Sequence, residues 1–388
     1  MKEKKSIIPI PVLFIIFICI LLNFVAWKSA AFSDYYVENI FPRITFLYSR
    51  ITSIFPFSVG EIMLAFIVLF VAFSVAFVIV HSAFLIYEKK ASSLNKGFFK
   101  AQKIFSTISN ILYRVSPVLM AIICTVMTLN CFILYHTSKI QLFSGTDTTE
   151  CDIQQLAELR DFVVKRCNEL AEQVPHDEQE NVIYDGDMQQ KAIEAMSNLS
   201  DRFPRLSGFY TTPKALVFSD FMSQQYMQGY YFPFSMEANY NDTMSIMNKP
   251  FTMCHELAHT HGYIYEDEAN FLGFLACISS DDPVFQYSGY LGVLNYINND
   301  FYKAVSKEEY NSHVKISARV KYDNLFMTDE AWVKVESKAV VKTETVKKAA
   351  ETFIDTNLKV NGVSSGKCSY SHVVALIMDY YYNFPEGV

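Results

Sequence analysis

Residues 250–271 read Pro250-Phe251-Thr252-Met253-Cys254-His255-Glu256-Leu257-Ala258-His259-Thr260-His261-Gly262-Tyr263-Ile264-Tyr265-Glu266-Asp267-Glu268-Ala269-Asn270-Phe271. His255 and His259 are four residues apart, so on a helix both imidazoles share one face and can reach one cation. Glu256 follows the first of them and is placed to act as general base toward a water that the cation polarises. Pro250 suits a helix start and Gly262 a helix end. The expected helix is therefore short and stops just past its histidines. Its residues Thr252, Met253, Cys254, Leu257 and Ala258 carry no charge, as a helix in a core requires.

A second helix follows, opened by Glu266, Asp267 and Glu268, acids that the helix dipole favours in a first turn. Catalytic zinc takes three protein ligands and leaves a fourth position open, so this helix is expected to supply the third. Glu266-x-x-Ala269-Asn270 resembles the ExxA(D/N) pattern of several zincin families. That resemblance implies Glu266 as a Zn²⁺ ligand with His255 and His259. It also implies Asn270, one turn on, as the residue that orients a ligating side chain. Glu268 is the alternative third ligand. Tyr265 stands where another zincin class places a third histidine, which counts against that class. His261 lies on a different helical face from His259, and Cys254 points away from the metal face, so both read as packing residues. The plain alternative is a helix with two structural histidines and a solvated acidic turn. The order HExxH, Gly, ExxAN argues against it.

The chain has 388 residues, 51% of them apolar, and its mean hydropathy is positive, which indicates a membrane protein. Three uncharged apolar runs, about 7–27, 62–87 and 115–135, are long enough to span a bilayer. Trp27, Tyr87 and Tyr135 mark their ends as interfacial aromatics do. Lys2, Lys4 and Lys5 precede the first span, and Lys89, Lys90, Lys96, Lys100, Lys103 and Arg114 lie between the second and third. By the positive-inside rule these two segments are cytoplasmic. The 7–27 run is long for a signal peptide, so it reads as an uncleaved anchor. The expected organisation is a membrane region over 1–136, with its N-terminus in the cytoplasm, and an extracytoplasmic domain over 137–388. The expected fold class is membrane-anchored α+β: three transmembrane helices, then a mostly helical zincin-like domain with a small sheet.

Within that domain, 153–174 and 187–199 have apolar residues at helical spacing. Segments 214–219, 229–234 and 237–241 have strand texture, and one of the last two is expected to form a cleft edge that pairs with extended substrate. Glu237 and Asn239 are candidates to line that cleft. After the metal segment the pattern is helical at 269–278, 284–297, 307–322 and 329–358. A last apolar helix, 369–382, is too short for a fourth span. Of eight cysteines, Cys151, Cys167, Cys254, Cys277 and Cys368 fall outside the spans, an odd number that allows at most two disulfides, and their spacing assigns no pairing. The net charge is −7 with no basic stripe, which excludes nucleic acid as a partner.

Taken together, the chain resembles the bacterial domain-of-unknown-function 3810 family of membrane proteins with an HExxH site. The resemblance is carried by Pro56 to Glu61, Pro213-Lys214 and Phe218-Ser219. It continues through Gly229, Pro233-Phe234, Glu237-Ala238-Asn239 and Asn241, then runs from Pro250-Phe251 through Phe271. It implies a zinc peptidase with no assigned substrate. Gly362-Val363 and Ser369-Tyr370 extend the likeness, although 364–368 interrupts the family's usual run. Tyr370 is an oxyanion-donor candidate, as are Tyr263 and Tyr290. The expected function is thus a membrane-anchored metallopeptidase. Its site holds zinc through His255, His259 and Glu266, uses Glu256 as base, and takes a polypeptide near the bilayer surface as substrate. Its rival is a non-catalytic, zinc-stabilised sensor or scaffold. An intramembrane protease would place HExxH inside a span, which Asp267 and Glu268 oppose.

Overall fold

The structure, a computed structural model, describes residues 9–90, 96–141, 152–360 and 372–384. In chain order the helices begin with α1 (Ile10–Lys28), α2 (Ala30–Asn39), α3 (Phe41–Thr52), α4 (Val59–Lys90) and α5 (Lys96–Met127). A π-helical turn at Thr128–Phe132 and a 3-10 turn at Leu134–His136 continue α5. Three helical stretches are long and apolar enough to cross a membrane: Ile10–Lys28, Val59–Glu88 and Gly97–His136.

The third begins well before the expected start at 115, and what reads as a loop between spans is helix. Residues 96–114 are amphipathic, and their apolar face packs on α4. Phe98 stacks on Phe84 at 4.6 Å, and Phe105 meets Phe84 at 4.7 Å and Phe77 at 5.9 Å. Lys100, Lys103 and Arg114 sit on this helix. Pro117 lies inside it without ending it. The segment between the first two spans also folds, as α2 and α3. Ser29 caps α2 by accepting from Phe32 N–H, and Pro42 opens α3.

The rest of the chain forms α6 (Ile153–Ala171), α7 (Met188–Ser197), β1 (Lys214–Ala215), α8 (Ser219–Gln224), β2 (Gly229–Phe232), β3 (Glu237–Tyr240), α9 (Lys249–Thr260), α10 (Glu266–Ile278) and α11 (Pro283–Ala304). It closes with α12 (Lys307–Ser312), α13 (Ala318–Asp323), α14 (Asp329–Lys338), α15 (Thr343–Val360) and α16 (His372–Asn383). The sheet runs β1-β3-β2, with β1 parallel and β2 antiparallel to β3, pairing Tyr230 with Asn239 and Tyr231 with Ala238. Helices α9, α10 and α11 form the centre of one core, closed by α6, α7 and α16. Val373, Val374, Leu376 and Ile377 of α16 are buried there, so its apolar face belongs to the domain.

Two long helical expectations divide. The 329–358 run breaks after Lys338, where the β-branched pair Val340-Val341 is a poor helix former and Gln224 binds Val341 O and Thr343 Oγ1. The 307–322 run splits because Ser317 caps a new helix by accepting from Val320 N–H. Cys167, Cys254 and Cys277 are free thiols, while Cys151 and Cys368 lie outside the described residues.

The expected boundary at 136/137 is bridged by a second core. Ala26 of α1, Tyr36, Val37 and Phe41 of α2 and α3, Ile133 and Leu134 after α5, and Met236 and Ile264 of the domain pack together. The segment between spans one and two and the domain after span three therefore lie on one side of any bilayer the three helices cross. Buried charge fastens them. Glu237 accepts from Gly60 N–H at 2.8 Å and Val59 N–H at 3.2 Å, so its carboxylate occupies the positive end of α4. Lys214 Nζ donates to Glu237 at 2.5 Å and to Thr52 O at 2.7 Å, with both side chains buried. Glu237→Ala would leave Lys214 buried without a counter-charge, a loss of about 3–5 kcal/mol. Chemical unfolding of the detergent-solubilised full chain should show it, and an unchanged midpoint would contradict the clasp.

Candidate metal centre

The sequence folds the centre by local rules. Pro250 opens α9, and its residues 250–254 and 256–260 are buried. Gly262 ends it with φ +88°, a conformation that glycine adopts without strain. Tyr263 N–H then bonds back to Ala258 O, closing a Schellman-type cap. That turn brings Tyr263 O within 2.7 Å of His259 Nδ1 and so fixes the ring with Nε2 outward. His255 Nδ1 is held in the same way, 2.9 Å from Asn270 Oδ1. A neutral imidazole that donates from Nδ1 keeps a lone pair at Nε2.

Glu266, Asn270 and Gly273 follow one another at i, i+4 and i+7 along one face of α10. At Gly273 the two helices approach so closely that a Cβ would stand 3.3 Å from His255 N. This approach brings three side chains together. His255 Nε2 and His259 Nε2 are 3.0 Å apart, and Glu266 Oε2 is 3.2 Å from His255 Nε2. Glu266 Oε1 is 3.8 Å from His259 Nε2. His259 is buried, His255 nearly so, and Glu266 is 62% exposed, so the cluster opens to solvent on the Glu266 side. Among the described residues these three form a group that could hold a metal ion, with one donor atom from each within 4.8 Å of the others.

Glu256 lies beside them under β2. The Tyr231 N–H faces its carboxyl, and Oε2 is buried with no hydrogen-bond partner among the described residues. Burial pushes this carboxyl up to about 8 against the pull of His255. The other groups are tightly coupled. Burial opposes charge on His255, but the Glu266 carboxylate prevails and draws it up to about 9. Burial and the neighbouring His255 hold His259 down to about 4. Desolvation of its carboxylate against the imidazoles works to raise Glu266 although the side chain as a whole is largely exposed, yet the two imidazoles bring it down to about 2. The Glu266 carboxylate thus favours positive charge at His255 and not at His259.

The other candidates are distributed differently. Glu268 is buried away from the imidazoles, accepting from Ile140 N–H at 2.6 Å, so the helix presents Glu266 and not Glu268 to them. Glu237 and Asn239 do not line the cleft. In β3 they alternate with Ala238 and Tyr240, which belong to the core beneath α9, so they occupy the opposite face of the sheet. Glu237 is spent on Lys214 and α4, and Asn239 Nδ2 bonds Tyr230 O and Glu237 O. Tyr370 lies outside the described residues. Tyr290 is a core residue packed on Phe274. His261 stacks on Tyr210 at 4.0 Å and is a packing residue. Cys254 is buried 3.9 Å from Cys277.

Two contributors, the Tyr263 carbonyl and the Tyr231 N–H, have no place in the sequence reading, and Gly229 stands there only as a strand and family position. The first two are backbone groups with no side-chain signature. Gly229 carries a signal in being a glycine within a strand. A cavity of about 290 Å³ adjoins the centre, with Phe251, Asn270, Tyr296, Gln228 and Asn295 in its wall. A larger one of about 520 Å³, between residues 243–247 and 322–331, touches none of the cluster.

The family model described as "Protein of unknown function (DUF3810)" matches residues 36–378, and the chain belongs to that family. No curated protein and no solved structure matches it.

A Cβ at position 229 would lie 2.6 Å from Asn239 O and 2.8 Å from Glu256 Oε1. Gly229→Ala must therefore spread β2 from β3 or displace Glu256, at a cost of about 1–3 kcal/mol. A thermal melt of the full chain should fall accordingly, and an unchanged melt would contradict this packing.

Proposed function

We propose that this member of the DUF3810 family is a membrane-anchored, zincin-like zinc peptidase. Its centre faces the extracytoplasmic side of a bacterial cytoplasmic membrane. The observation that carries the reading is the convergence of His255 Nε2, His259 Nε2 and a Glu266 oxygen, with both Nδ1 atoms already committed to Asn270 and Tyr263. Tetrahedral zinc, with bonds of 2.0–2.1 Å, sets its ligands about 3.3 Å apart. The donors here are 3.0, 3.2 and 3.8 Å apart, and the two-imidazole, one-carboxylate set suits that ion.

Bound zinc supplies a Lewis acid that polarises a carbonyl and brings the pKa of water toward neutrality. Glu256 does the proton work. Its unpartnered Oε2 can accept a proton from the attacking water and deliver it to the leaving amine nitrogen, and its burial keeps its affinity for that proton near neutral. The Tyr231 N–H faces the same carboxyl. β2 is an edge strand next to Glu256, to which an extended polypeptide can add, and the cavity at Phe251 and Asn270 can take a side chain. The extracytoplasmic placement is supported by Lys2, Lys4 and Lys5 before α1 and by the basic residues at the α4–α5 connection.

The rival reading is a metal-stabilised sensor, in which Glu237 couples the sheet to α4 and the site turns nothing over. One set of full-length proteins separates the two. The parent and Glu256→Gln should each carry about one zinc per chain, and His255→Ala should carry none. Cleavage of a peptide library should fall at least ~100-fold in Glu256→Gln. Metal without turnover in the parent would favour the sensor, and no metal would end both readings. Asn270→Ala should retain the ligand set but bind zinc about 10–100-fold more weakly in a chelator competition.

A further inference from the structure

Helix α3 faces the wrong way for a helix in water. Past Phe41, which is buried in the second core at the helix start, its buried positions are Thr45, Ser49 and Thr52, and the Thr45 and Ser49 hydroxyls have no partner among the described residues. Its apolar stripe points outward. Leu47, Ile51 and, just past the helix end, Ile54 recur at i, i+4 and i+7 and are 60%, 54% and 75% exposed. Burying the small polar face and exposing the large apolar one is unfavourable in water and favourable against hydrocarbon. Arg43 and Arg50, also exposed, can reach from such a helix to headgroups.

A second element shows the same inversion. Val217, Phe218 and Phe221, at the start of α8, are exposed. They are fixed there by span two: the buried Glu61 carboxylate accepts from Val217 N–H at 2.9 Å and Phe218 N–H at 2.6 Å. Val217 and Phe218 lie along α4 against Ile62, Ala65, Phe66 and Leu69, and with them line an apolar groove of about 310 Å³. From Glu61 to Leu69 the helix descends about 12 Å. The uncharged part of α4 starts at Ile62, so this groove lies inside the hydrocarbon if α4 spans it.

We infer that α3 and the 217–221 segment form a collar immersed in the bilayer leaflet on the metal-centre side, and that the groove beside Phe66 holds a lipid acyl chain. The surface is continuous with the apolar flank of α4, and two buried carboxylates, Glu61 and Glu237, lock it in register with that helix. The collar stands independently of any catalytic reading. It sets the metal domain on the membrane surface, because α2 and α3 pack directly beneath Gly262 and Ile264.

The test uses the unmodified full chain in nanodiscs whose phosphatidylcholine carries a diazirine in its acyl chain. Photolysis and peptide mass spectrometry map the carbene adducts. Phe66 serves as the position in the lipid and Val340, 99% exposed, as the position in water. The expected result is adducts on Leu47, Ile51 or Ile54 and on Val217, Phe218 or Phe221 at a yield like that of Phe66 and several-fold above that of Val340. Adducts at Phe66 with either collar segment at the Val340 level would overturn the inference and turn attention to a protein partner on that face. Phe218→Trp in a chain whose Trp27 and Trp332 are both changed to Phe, read with brominated lipids against aqueous iodide, checks the same point. Quenching by lipid supports the collar, and quenching by iodide alone contradicts it.

Discussion

The close approach of α9 and α10 at Gly273 is the constraint from which the rest follows. With a hydrogen in place of a side chain there, one face of α10 can lie on the backbone of His255, and the residues one and two turns earlier then meet the histidine face. Asn270 takes the inner nitrogen of His255, and Glu266 meets its outer one. Each imidazole is oriented from behind, one by a side chain and one by a carbonyl that exists only because Gly262 closes the helix in a left-handed turn. The donors are therefore held by the fold itself, the arrangement that a cation site needs.

The sheet is divided between two duties. One face of β2 and β3 covers α9, with Gly229 leaving room for Glu256 and the Tyr231 N–H facing its carboxyl. The other face carries Glu237, whose charge sits between Lys214 and the first turn of α4. A displacement of β3 would reach both the Glu256 carboxylate beside the candidate ligands and the attachment to the second span. The centre is thus built into the membrane base, and the shared core around Val37, Phe41 and Ile264 makes that base part of the domain.

Legibility in the sequence followed the range of the physics. Residues 250–271 were readable because their signals are local: an i, i+4 histidine pair, a glycine stop, acids in a first turn, and an asparagine one turn beyond Glu266. The three apolar runs were readable because length and composition suffice. The start of α5 was not, since 96–114 is too charged for a span and becomes helix by stacking Phe98 and Phe105 on α4. Glu237 and Asn239 were assigned to the cleft from their place in the chain. Alternation along a strand puts them on one face, but only tertiary packing decides which face looks at α9. The split of 329–358 rests on a contact from Gln224, more than a hundred residues away.

The proposed centre comes down to a cation held by two imidazoles and one carboxylate. Zinc-edge X-ray absorption on the full-length protein, purified without chelator, measures that directly. The expected spectrum has a shell of light atoms at about 2.0–2.1 Å that includes two imidazoles and no sulfur. A sulfur shell near 2.3 Å, or a protein that takes up no zinc, would contradict it.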